Sequence, residues 1–398
     1  MKSAREIIYQ NFIKPFEEKN SGNIGVELEF PLVNNNGKNV DVAFLSSMME
    51  HFEKDGFSCV LYGVGGEKLF MENSFGDTLS FDNSYNNFEF SMMYGDNLCK
   101  IENRFKEYYE KVQSYLKKED HTLKGRGINP NFHNIDVNHT PFSTYNMVEK
   151  YLHKFPGKHQ YNDFPAFISS VQTHLDINKE LIAPLYTLFS RLGFVRALLF
   201  GNSPDFENRG WRIFRDYLWE KSGFGNCPNI TGTVDCDFQS TDEVVDFFLE
   251  KGMFNRIRGG KYEVFSPVKI RQYFDNPIYN AKEEDIECYL SFCNVEITKR
   301  GTLEIRSDCT QENGRFFMPP AFNLGILNNC DEAKARLDCF IADNKIEKAP
   351  SELRALAAEC RENVIASKDE LSKLCIDMLE LSREGLKKRD KGEEKFLA

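Results

Sequence analysis

Two glutamates alternate with apolar residues near the start of this chain, where Val26, Leu28 and Phe30 surround Glu27 and Glu29. Successive side chains of a β-strand point to opposite faces of its sheet, so the apolar residues share one face and the acids share the other. Two carboxylates on one face raise each other's pKa unless a cation lies between them. The pattern therefore predicts a strand whose polar face is either solvated or binds a hard divalent cation.

Asp82 and Glu89 form a second acidic pair, on either side of a predicted turn at residues 83–85. A hairpin brings flanking strand positions close together, so both carboxylates can face one site. Glu89 lies between Phe88 and Phe90, which repeats the alternation of the first segment. This segment is either a second solvated strand face or part of the same cation site.

Two further predicted strands also carry polar groups on one face. Gln172, His174 and Asp176 share a face of the first strand, and Glu304 and Arg306 share a face of the second. A strand histidine is commonly satisfied by a hydrogen bond, and an exposed acid–arginine pair contributes little to stability. The same groups suit a site in which a carboxylate binds a cation and a guanidinium neutralises a phosphoryl group. Because four strands repeat this arrangement, we expect one carboxylate-rich sheet face that holds two or three Mg2+ ions and a nucleotide.

The order of the predicted elements indicates an α+β fold. The predicted strands span residues 24–32, 58–63, 67–72, 77–82, 86–93, 123–129, 169–178 and 301–307. The predicted helices span residues 3–18, 41–55, 97–117, 179–200 and 210–219, with a helical C-terminal portion from about residue 318. The stretch between residues 130 and 168 reads as a loop. Such an order suits an antiparallel sheet covered by helices on one side, and we expect a single domain over residues 1–398.

The composition limits the classes of function. The net charge of -11 and the pI near 5.3 argue against nucleic-acid binding, which needs a basic face. No apolar run is long enough to span a bilayer, and the first residues lack the apolar core of a signal peptide. The 11 cysteines lack zinc-finger spacing, so we expect reduced thiols in a cytoplasmic protein. The oligomeric state cannot be deduced from these features.

Several motifs together resemble the glutamate–cysteine ligase superfamily, and its plant and bacterial type in particular. The matching segments are GVELEFPLV (25–33), FEFS (88–91), GRGINP (125–130), VQTHLDI (171–177), ALLFGNSPDFENRGWRIFRDYLW (197–219), GTLEIRSD (301–308), PPAFNLGIL (319–327) and GLKKRDKGEEKFL (385–397). Their order and spacing carry the resemblance over nearly the whole chain. It implies a fold similar to that of glutamine synthetase, a curved antiparallel sheet with helices packed outside.

The resemblance implies an ATP-dependent carboxylate–amine ligase that uses Mg2+, with Mn2+ as an alternative. In such enzymes the γ-carboxylate of glutamate attacks the γ-phosphate of ATP, and the cysteine amine then displaces phosphate from the resulting acyl phosphate. Catalysis depends mainly on positioning and electrostatic stabilisation. The implied partners are small amino-acid substrates, with neither nucleic acid nor a membrane.

Carried over position by position, the resemblance implies roles for particular residues. The implied metal ligands are Glu27, Glu29, Asp82, Glu89, His174 and Glu304. Arg306 and Glu304 are the implied catalytic residues beside the transferred phosphate. Arg215 is expected to bind a substrate carboxylate, although an ordinary helix-surface arginine is the alternative. The further substrate-binding candidates are Gln172, Trp219 and Arg212, of which Arg212 is the rival to Arg215.

The sequence departs from this family at positions that border its substrate pockets. It reads Val-Gln-Thr-His-Leu-Asp where Val-Gln-Val-Asn-Leu-Asp is typical, and Ser143-Thr144-Tyr145 where an arginine–tyrosine pair is expected. Three functions stay open: glutamate–cysteine ligation, ligation of another acid or amine by the same fold, and noncatalytic binding of a nucleotide or metal. A noncatalytic relic should have lost some of the strand acids, and all of them remain. The first two functions cannot be separated by sequence.

Overall fold

The computed structural model describes residues 2–19, 22–205 and 210–398. Within these ranges the chain forms thirteen β-strands: β1 (Ile24–Asn34), β2 (Phe57–Tyr62), β3 (Lys68–Asn73), β4 (Thr78–Phe81), β5 (Asn87–Gly95), β6 (His121–Leu123), β7 (Ser170–Asp176), β8 (Thr231–Gly232), β9 (Gly252–Arg258), β10 (Lys261–Lys269), β11 (Phe292–Cys293), β12 (Val295–Ile297) and β13 (Thr302–Cys309). Most of the strands predicted from alternation are therefore present.

Nine of these strands form one antiparallel sheet in the order β12-β13-β7-β1-β5-β4-β3-β2, with β6 paired to the end of β1. Its two ends, β12 and β2, do not pair with each other, so the sheet stays open. In the part of the chain that the structure describes, β9 pairs with β10 and β8 with β11 in two small sheets. The predicted α+β fold with a large antiparallel sheet is confirmed.

The described ranges also contain thirteen α-helices: α1 (Ala4–Ile8), α2 (Val42–Phe52), α3 (Leu98–Leu116), α4 (Ser143–Lys154), α5 (Ile182–Arg191), α6 (Gly193–Phe200), α7 (Phe214–Glu220), α8 (Thr241–Leu249), α9 (Ile270–Asp275), α10 (Met318–Leu327), α11 (Cys330–Asp343), α12 (Pro350–Ala358) and α13 (Lys368–Lys388). Side-chain caps define several helix starts. Asn97 accepts hydrogen bonds from the first turn of α3, and Ser367 forms a capping box with Glu370 at the start of α13.

Helices cover the apolar face of the large sheet. Phe30 of β1 is fully buried, and its ring centroid lies 5.8 Å from that of Phe90 on β5. It also packs on Phe105 of α3 at 6.0 Å and on Phe316, just before α10, at 5.0 Å. Burial of each such side chain contributes about 1.5–3 kcal/mol, so this aromatic layer fixes which face of β1 points inward. The acids of β1 consequently point to the opposite face.

Two predictions between residues 123 and 168 were wrong. The strand expected at 123–129 is absent beyond Leu123, where β6 ends, and within the rest of that range only Ile128 forms an isolated bridge, with Ile168. The expected loop contains α4, which begins after Phe142, a residue without a capping side chain. The start signal for a helix is therefore missing, although the helix has a buried apolar side of its own: Met147, Val148, Tyr151 and Leu152.

The apolar helix predicted at 179–200 is broken. It begins with a 3-10 turn at Lys179–Leu181, continues as α5, and is separated from α6 by Leu192. Among the described residues, no single helix is long and apolar enough to cross a membrane, and only Lys179–Arg191 with Gly193–Phe200, bent by 50°, reach the length and composition together. All eleven cysteines lie in the described ranges and are free thiols.

Candidate active site

The strand register brings the predicted acids into neighbouring positions on one sheet face. Glu29 of β1 is directly opposite Glu89 of β5, and His174 of β7 is directly opposite Glu304 of β13. Opposed residues of an antiparallel pair have Cβ atoms about 4.5–5.5 Å apart, so their side chains interact. Asp82 follows the last residue of β4, and the backbone N–H of Asp82 donates to the Asn87 carbonyl at 3.2 Å where the hairpin closes. Four strands thus contribute to one polar surface.

Two cavities open on this polar surface. The first has a volume of about 280 Å3, and its lining includes these predicted residues: Glu27, Glu29, Asp82, Glu89, Gln172, Arg215, Trp219, Glu304 and Arg306. The second has a volume of about 600 Å3 and is lined by His174 and by apolar side chains that include Phe70, Met92 and Tyr94. Glu27, Glu89 and Arg300 line both cavities. Part of the acidic row therefore lies at the boundary between the two cavities.

Glu27, His174 and Glu304 form the tightest group of potential metal ligands on this surface. One ligand atom from each residue lies within 4.8 Å of the others. His174 Nε2 is 3.1 Å from Glu27 Oε1 and 3.7 Å from Glu304 Oε1. Burial would raise the pKa of Glu27, but the charges of His174, Arg300 and Arg306 lower this pKa to about 2. Burial would likewise lower the pKa of His174, but the charges of Glu304 and Glu27 raise this pKa above its usual value.

Glu29 is held by groups of the neighbouring strand. Its Oε2 accepts a hydrogen bond from the Ser170 backbone N–H at 2.8 Å, and its Oε1 accepts one from Gln172 Nε2 at 2.6 Å. Burial and the charge of Asp82 nevertheless raise the pKa of Glu29 to about 8. The side chain is thus fixed in place but short of positive charge.

Asp82 and Glu89 share this shortage of positive charge. Burial raises the pKa of Asp82 to about 6, against the lowering effect of the Tyr145 hydroxyl and of Arg306. Burial and the charges of Glu27, Asp82 and Glu29 raise the pKa of Glu89 well above its ordinary value, although Glu89 Oε1 accepts a hydrogen bond from Ser91 at 2.5 Å. A raised pKa means that ionisation of a carboxyl group costs free energy, and a bound divalent cation offsets this cost for clustered acids. The donor set therefore fits Mg2+ or Mn2+.

Arg306 supplies a permanent positive charge directly beside Glu304. Its Nη1 donates to Glu304 Oε1 at 2.6 Å, two positions earlier on the same face of β13. Burial would lower the pKa of Arg306, but the charges of Glu304 and Glu27 raise it above the ordinary arginine value. The guanidinium therefore stays charged and lines the cavity beside the acids.

Arg215 lies on α7 and lines the same cavity with a side chain that is only partly satisfied. Arg215 is 7% exposed, and its Nη2 donates to the backbone carbonyl of Arg306 at 2.9 Å. Its Nε and Nη1 are buried without a hydrogen-bond partner within the described residues. A buried guanidinium with unused donors loses the free energy of those hydrogen bonds unless a ligand accepts them. The geometry therefore fits an anionic ligand at this end of the cavity.

The sequence profile of glutamate–cysteine ligase family 2 matches residues 23–396. The chain belongs to this family. No curated protein sequence matches the chain.

The solved structures similar to this family 2 chain include two enzymes of glutathione synthesis. A glutamate–cysteine ligase from Francisella tularensis, solved in complex with AMP, has a TM-score of 0.50 and 13% identity, over 96% of this chain and 82% of that one. A bifunctional glutathione synthetase from Pasteurella multocida has a TM-score of 0.42 and 15% identity, over 100% of this chain and 51% of that one. The chain thus spans about half the length of the Pasteurella enzyme. The likeness to the Francisella structure concerns the fold.

The fold of this family 2 chain separates the two arginines that the sequence had left as rivals. Arg212 points away from the cavity, since its Nη2 donates to Glu362 Oε1 at 2.7 Å and its Nη1 to the Ala357 carbonyl at 2.5 Å. Arg215, one turn later, faces the acids. Trp219, on the next turn, lines the cavity while its ring stacks on Phe292 at 4.4 Å.

Sequence reasoning missed charged residues of the cavity in this family 2 chain, among them Arg300 and Glu220. Arg300, in the turn between β12 and β13, lies 3.6 Å from Glu27 Oε1. Glu220 ends α7 and lines the cavity, and burial together with the charge of Asp216 raises its pKa to about 7. Neither residue shows the alternation that marked the strand acids. The only available signal for Glu220 was its position directly after Trp219.

Proposed function

We propose that this protein is an ATP-dependent carboxylate–amine ligase that joins the γ-carboxylate of glutamate to the amine of cysteine. The observation that carries the proposal is the composition of one cavity. Clustered carboxylates line it together with Arg306 and with Arg215, whose guanidinium has hydrogen-bond donors without a partner among the described residues. Such a cavity accommodates a metal-bound phosphate next to a second anionic ligand. Membership of a ligase family agrees with this chemistry.

The acids of the sheet face are the proposed metal ligands. Glu27, His174 and Glu304 offer one preformed set, and the acids at the β4–β5 hairpin and on β1 extend it: Glu29, Asp82 and Glu89. A bound divalent cation supplies the charge that neutralises phosphate oxygens during phosphoryl transfer. The protein's own part is to hold these ligands in place: the pKa of Glu27 is lowered by neighbouring cations, whereas the raised pKa values of Glu29, Asp82 and Glu89 leave positive charge for the metal to supply. Arg306 adds a fixed positive charge 2.6 Å from Glu304.

The larger cavity is the proposed nucleotide compartment. Its apolar side chains, Phe70, Met92 and Tyr94, offer surface for a flat base. Its boundary with the smaller cavity carries Arg300, which can neutralise phosphate oxygens at that boundary. This arrangement supports transfer of the terminal phosphoryl group towards the smaller cavity.

The smaller cavity is the proposed amino-acid compartment. We infer that Arg215 binds the α-carboxylate of the acid substrate, which leaves the distal carboxylate free to attack the phosphate. Carboxylates are poor electrophiles, and phosphorylation supplies the leaving group. The second amino acid then attacks the acyl phosphate through its amine, which forms the amide and releases phosphate.

Glu220 is the proposed acceptor of the proton that the attacking amine must lose. A general base works best when its pKa is near the working pH, and the pKa of Glu220 is raised to about 7. Asp216, its neighbour in the cavity, is neutralised by Arg354, whose Nε donates to Asp216 Oδ2 at 2.7 Å. Asp216 is engaged in this ion pair, which leaves Glu220 as the proposed proton acceptor.

A substrate panel tests the proposal. Purified protein is incubated with ATP, Mg2+, glutamate and one amine at a time, and phosphate release and product mass are measured. We expect the greatest turnover with cysteine and a product of the mass of glutamylcysteine. Glu304→Gln should lose at least about 100-fold in rate because it removes a charge beside the transferred phosphoryl group. Glu284→Gln, at a well-exposed acid, is the matched control and should keep the wild-type rate.

Different failures of this panel have different meanings. Phosphate release with another acid or amine would retain the ligase and replace the substrate pair. Release of no phosphate with any combination would refute the ligase itself.

A further inference from the structure

A second group of metal-type ligands lies outside the active-site face. His139 precedes α4, Glu149 lies on α4, and Asp163 directly precedes the 3-10 turn Phe164–Phe167. One ligand atom from each residue lies within 4.8 Å of the others. We propose that His139, Glu149 and Asp163 bind a zinc ion that ties these three segments together.

The distances suit coordination better than direct hydrogen bonding. His139 Nε2 is 3.7 Å from Glu149 Oε2 and 3.9 Å from Asp163 Oδ1. Both separations exceed the ordinary N–H···O range of about 2.7–3.2 Å. Ligand atoms of a tetrahedral zinc with bonds of about 2.0–2.1 Å are roughly 3.4 Å apart. The two histidine–carboxylate separations are thus within about half an ångström of that spacing, and the two carboxylates lie within 4.8 Å of each other, so small side-chain movements would close the site around the ion.

The chemistry of the three ligands selects the metal. An imidazole nitrogen favours Zn2+ over Mg2+ or Ca2+, which prefer oxygen ligands. The two carboxylates together balance the charge of a divalent ion. All three side chains are partly exposed, at 20%, 37% and 35% for His139, Glu149 and Asp163, so the ion has an entry path and water can occupy the fourth position.

His153 supports this site from the same helix. It lies one turn after Glu149 on α4, and its Nε2 is 2.8 Å from Asp163 Oδ1. A hydrogen bond of this kind orients a ligating carboxylate and commonly changes metal affinity by about 10–100-fold. His153 is therefore a positioning residue for Asp163.

The zinc ion would brace the wall of the catalytic cavity. The small cleft at this site shares Asn83, Val148 and Pro165 with the cavity lining. The strand-like segment of His139 is hydrogen-bonded to the hairpin tip beside Asp82, since the Thr140 N–H donates to the Asn83 carbonyl at 3.2 Å. The same helix that carries Glu149 also places Tyr145 against Asp82. Zinc binding should thus stiffen the wall without entering the reaction.

Direct metal binding tests the site independently of ligase activity. Full-length protein is stripped with a chelator, returned to excess Mg2+, and titrated with Zn2+ by calorimetry and with Co2+ as a visible spectroscopic probe. We expect one zinc site that survives His174→Ala, which removes the only imidazole of the Glu27–His174–Glu304 group. His139→Ala and Glu149→Gln should each weaken this site by more than about 100-fold, and His153→Ala by about 10–100-fold. Zinc should also raise Tm by a few degrees in the wild type and not in Glu149→Gln.

The controls make each outcome decisive. His133→Ala changes an exposed histidine of the same loop and should leave zinc affinity unchanged. Glu149→Gln alters a helix surface position, so its fold is expected to survive even if His139→Ala does not fold. Unchanged zinc affinity in Glu149→Gln, or loss of all zinc binding in His174→Ala, would overturn the proposal.

Discussion

Arg215→Lys is the most direct test of the amino-acid compartment. Nη2 of Arg215 gives one N–H to the Arg306 carbonyl, and Nε and Nη1 have no partner among the described residues. Nη2 has two N–H groups, and the Arg306 carbonyl accepts a hydrogen bond from one of them. The second N–H group can donate in parallel with Nε or Nη1, so one edge of the guanidinium keeps two free donors. Such an edge matches both oxygens of a carboxylate. Lysine keeps the charge but offers only a compact ammonium, so the substitution removes the paired geometry alone.

The expected loss follows from the burial of this side chain. Arg215 is 7% exposed, so water cannot easily replace the missing donor. Loss of one charged, directed contact in such a site costs about 2–4 kcal/mol of transition-state binding, or roughly 30- to 1000-fold in kcat/KM. We expect most of this loss of kcat/KM to come from a higher KM for the acid substrate, because Arg215 contacts the substrate both in the bound complex and in the transition state.

Initial rates measured against glutamate at saturating ATP, and against ATP at saturating glutamate, separate the two compartments. The KM for ATP should stay nearly unchanged. Arg212→Lys is the matched control, because Arg212 binds Glu362 and the Ala357 carbonyl away from the cavity. Loss of ATP affinity alone in Arg215→Lys, or an equal loss of kcat/KM in Arg212→Lys, would refute the reasoning.

Three further predictions concern metal, pH and thiols. Activity should disappear in excess chelator and return with Mg2+ or Mn2+, and full turnover in chelator would contradict the cation site. For Glu220, the folded-state pKa of about 7 lies above the ordinary value of 4.5 for a glutamate. Its contribution to stability is therefore full below about pH 4.5 and is lost as pH rises through about 7. In urea unfolding, the free energy of unfolding of Glu220→Gln should therefore rise relative to that of the wild type between pH 5 and 8, by at most about 3 kcal/mol. Parallel plots of this free energy against pH for the two proteins would contradict the prediction. Thiol titration of denatured protein purified without oxidant should recover all 11 cysteines, and a much lower number would contradict the free thiols.

The sequence by itself determined the two-faced character of the sheet strands. Alternation has a period of two residues and depends only on local backbone geometry, so the acids of β1 could be assigned to one face before the fold was known. The same argument placed Glu304 and Arg306 together on β13, and the structure has them 2.6 Å apart. Local sequence signals did not predict α4, because the residue before this helix has no capping side chain.

Only the tertiary structure decided which helical side chains reach the cavity. Arg212 and Arg215 are three residues apart, and the family resemblance favoured Arg215 whereas the local sequence pattern does not distinguish the two. The distinction comes from Glu362, 150 residues further along the chain, which binds Arg212 just before α7 and outside the cavity lining. Glu220, Arg300 and the His139–Glu149–Asp163 group were likewise invisible, because each depends on segments that are distant in sequence and adjacent only after folding. Local periodicity sets the direction of a strand side chain, whereas long-range packing sets which helical side chains share a site.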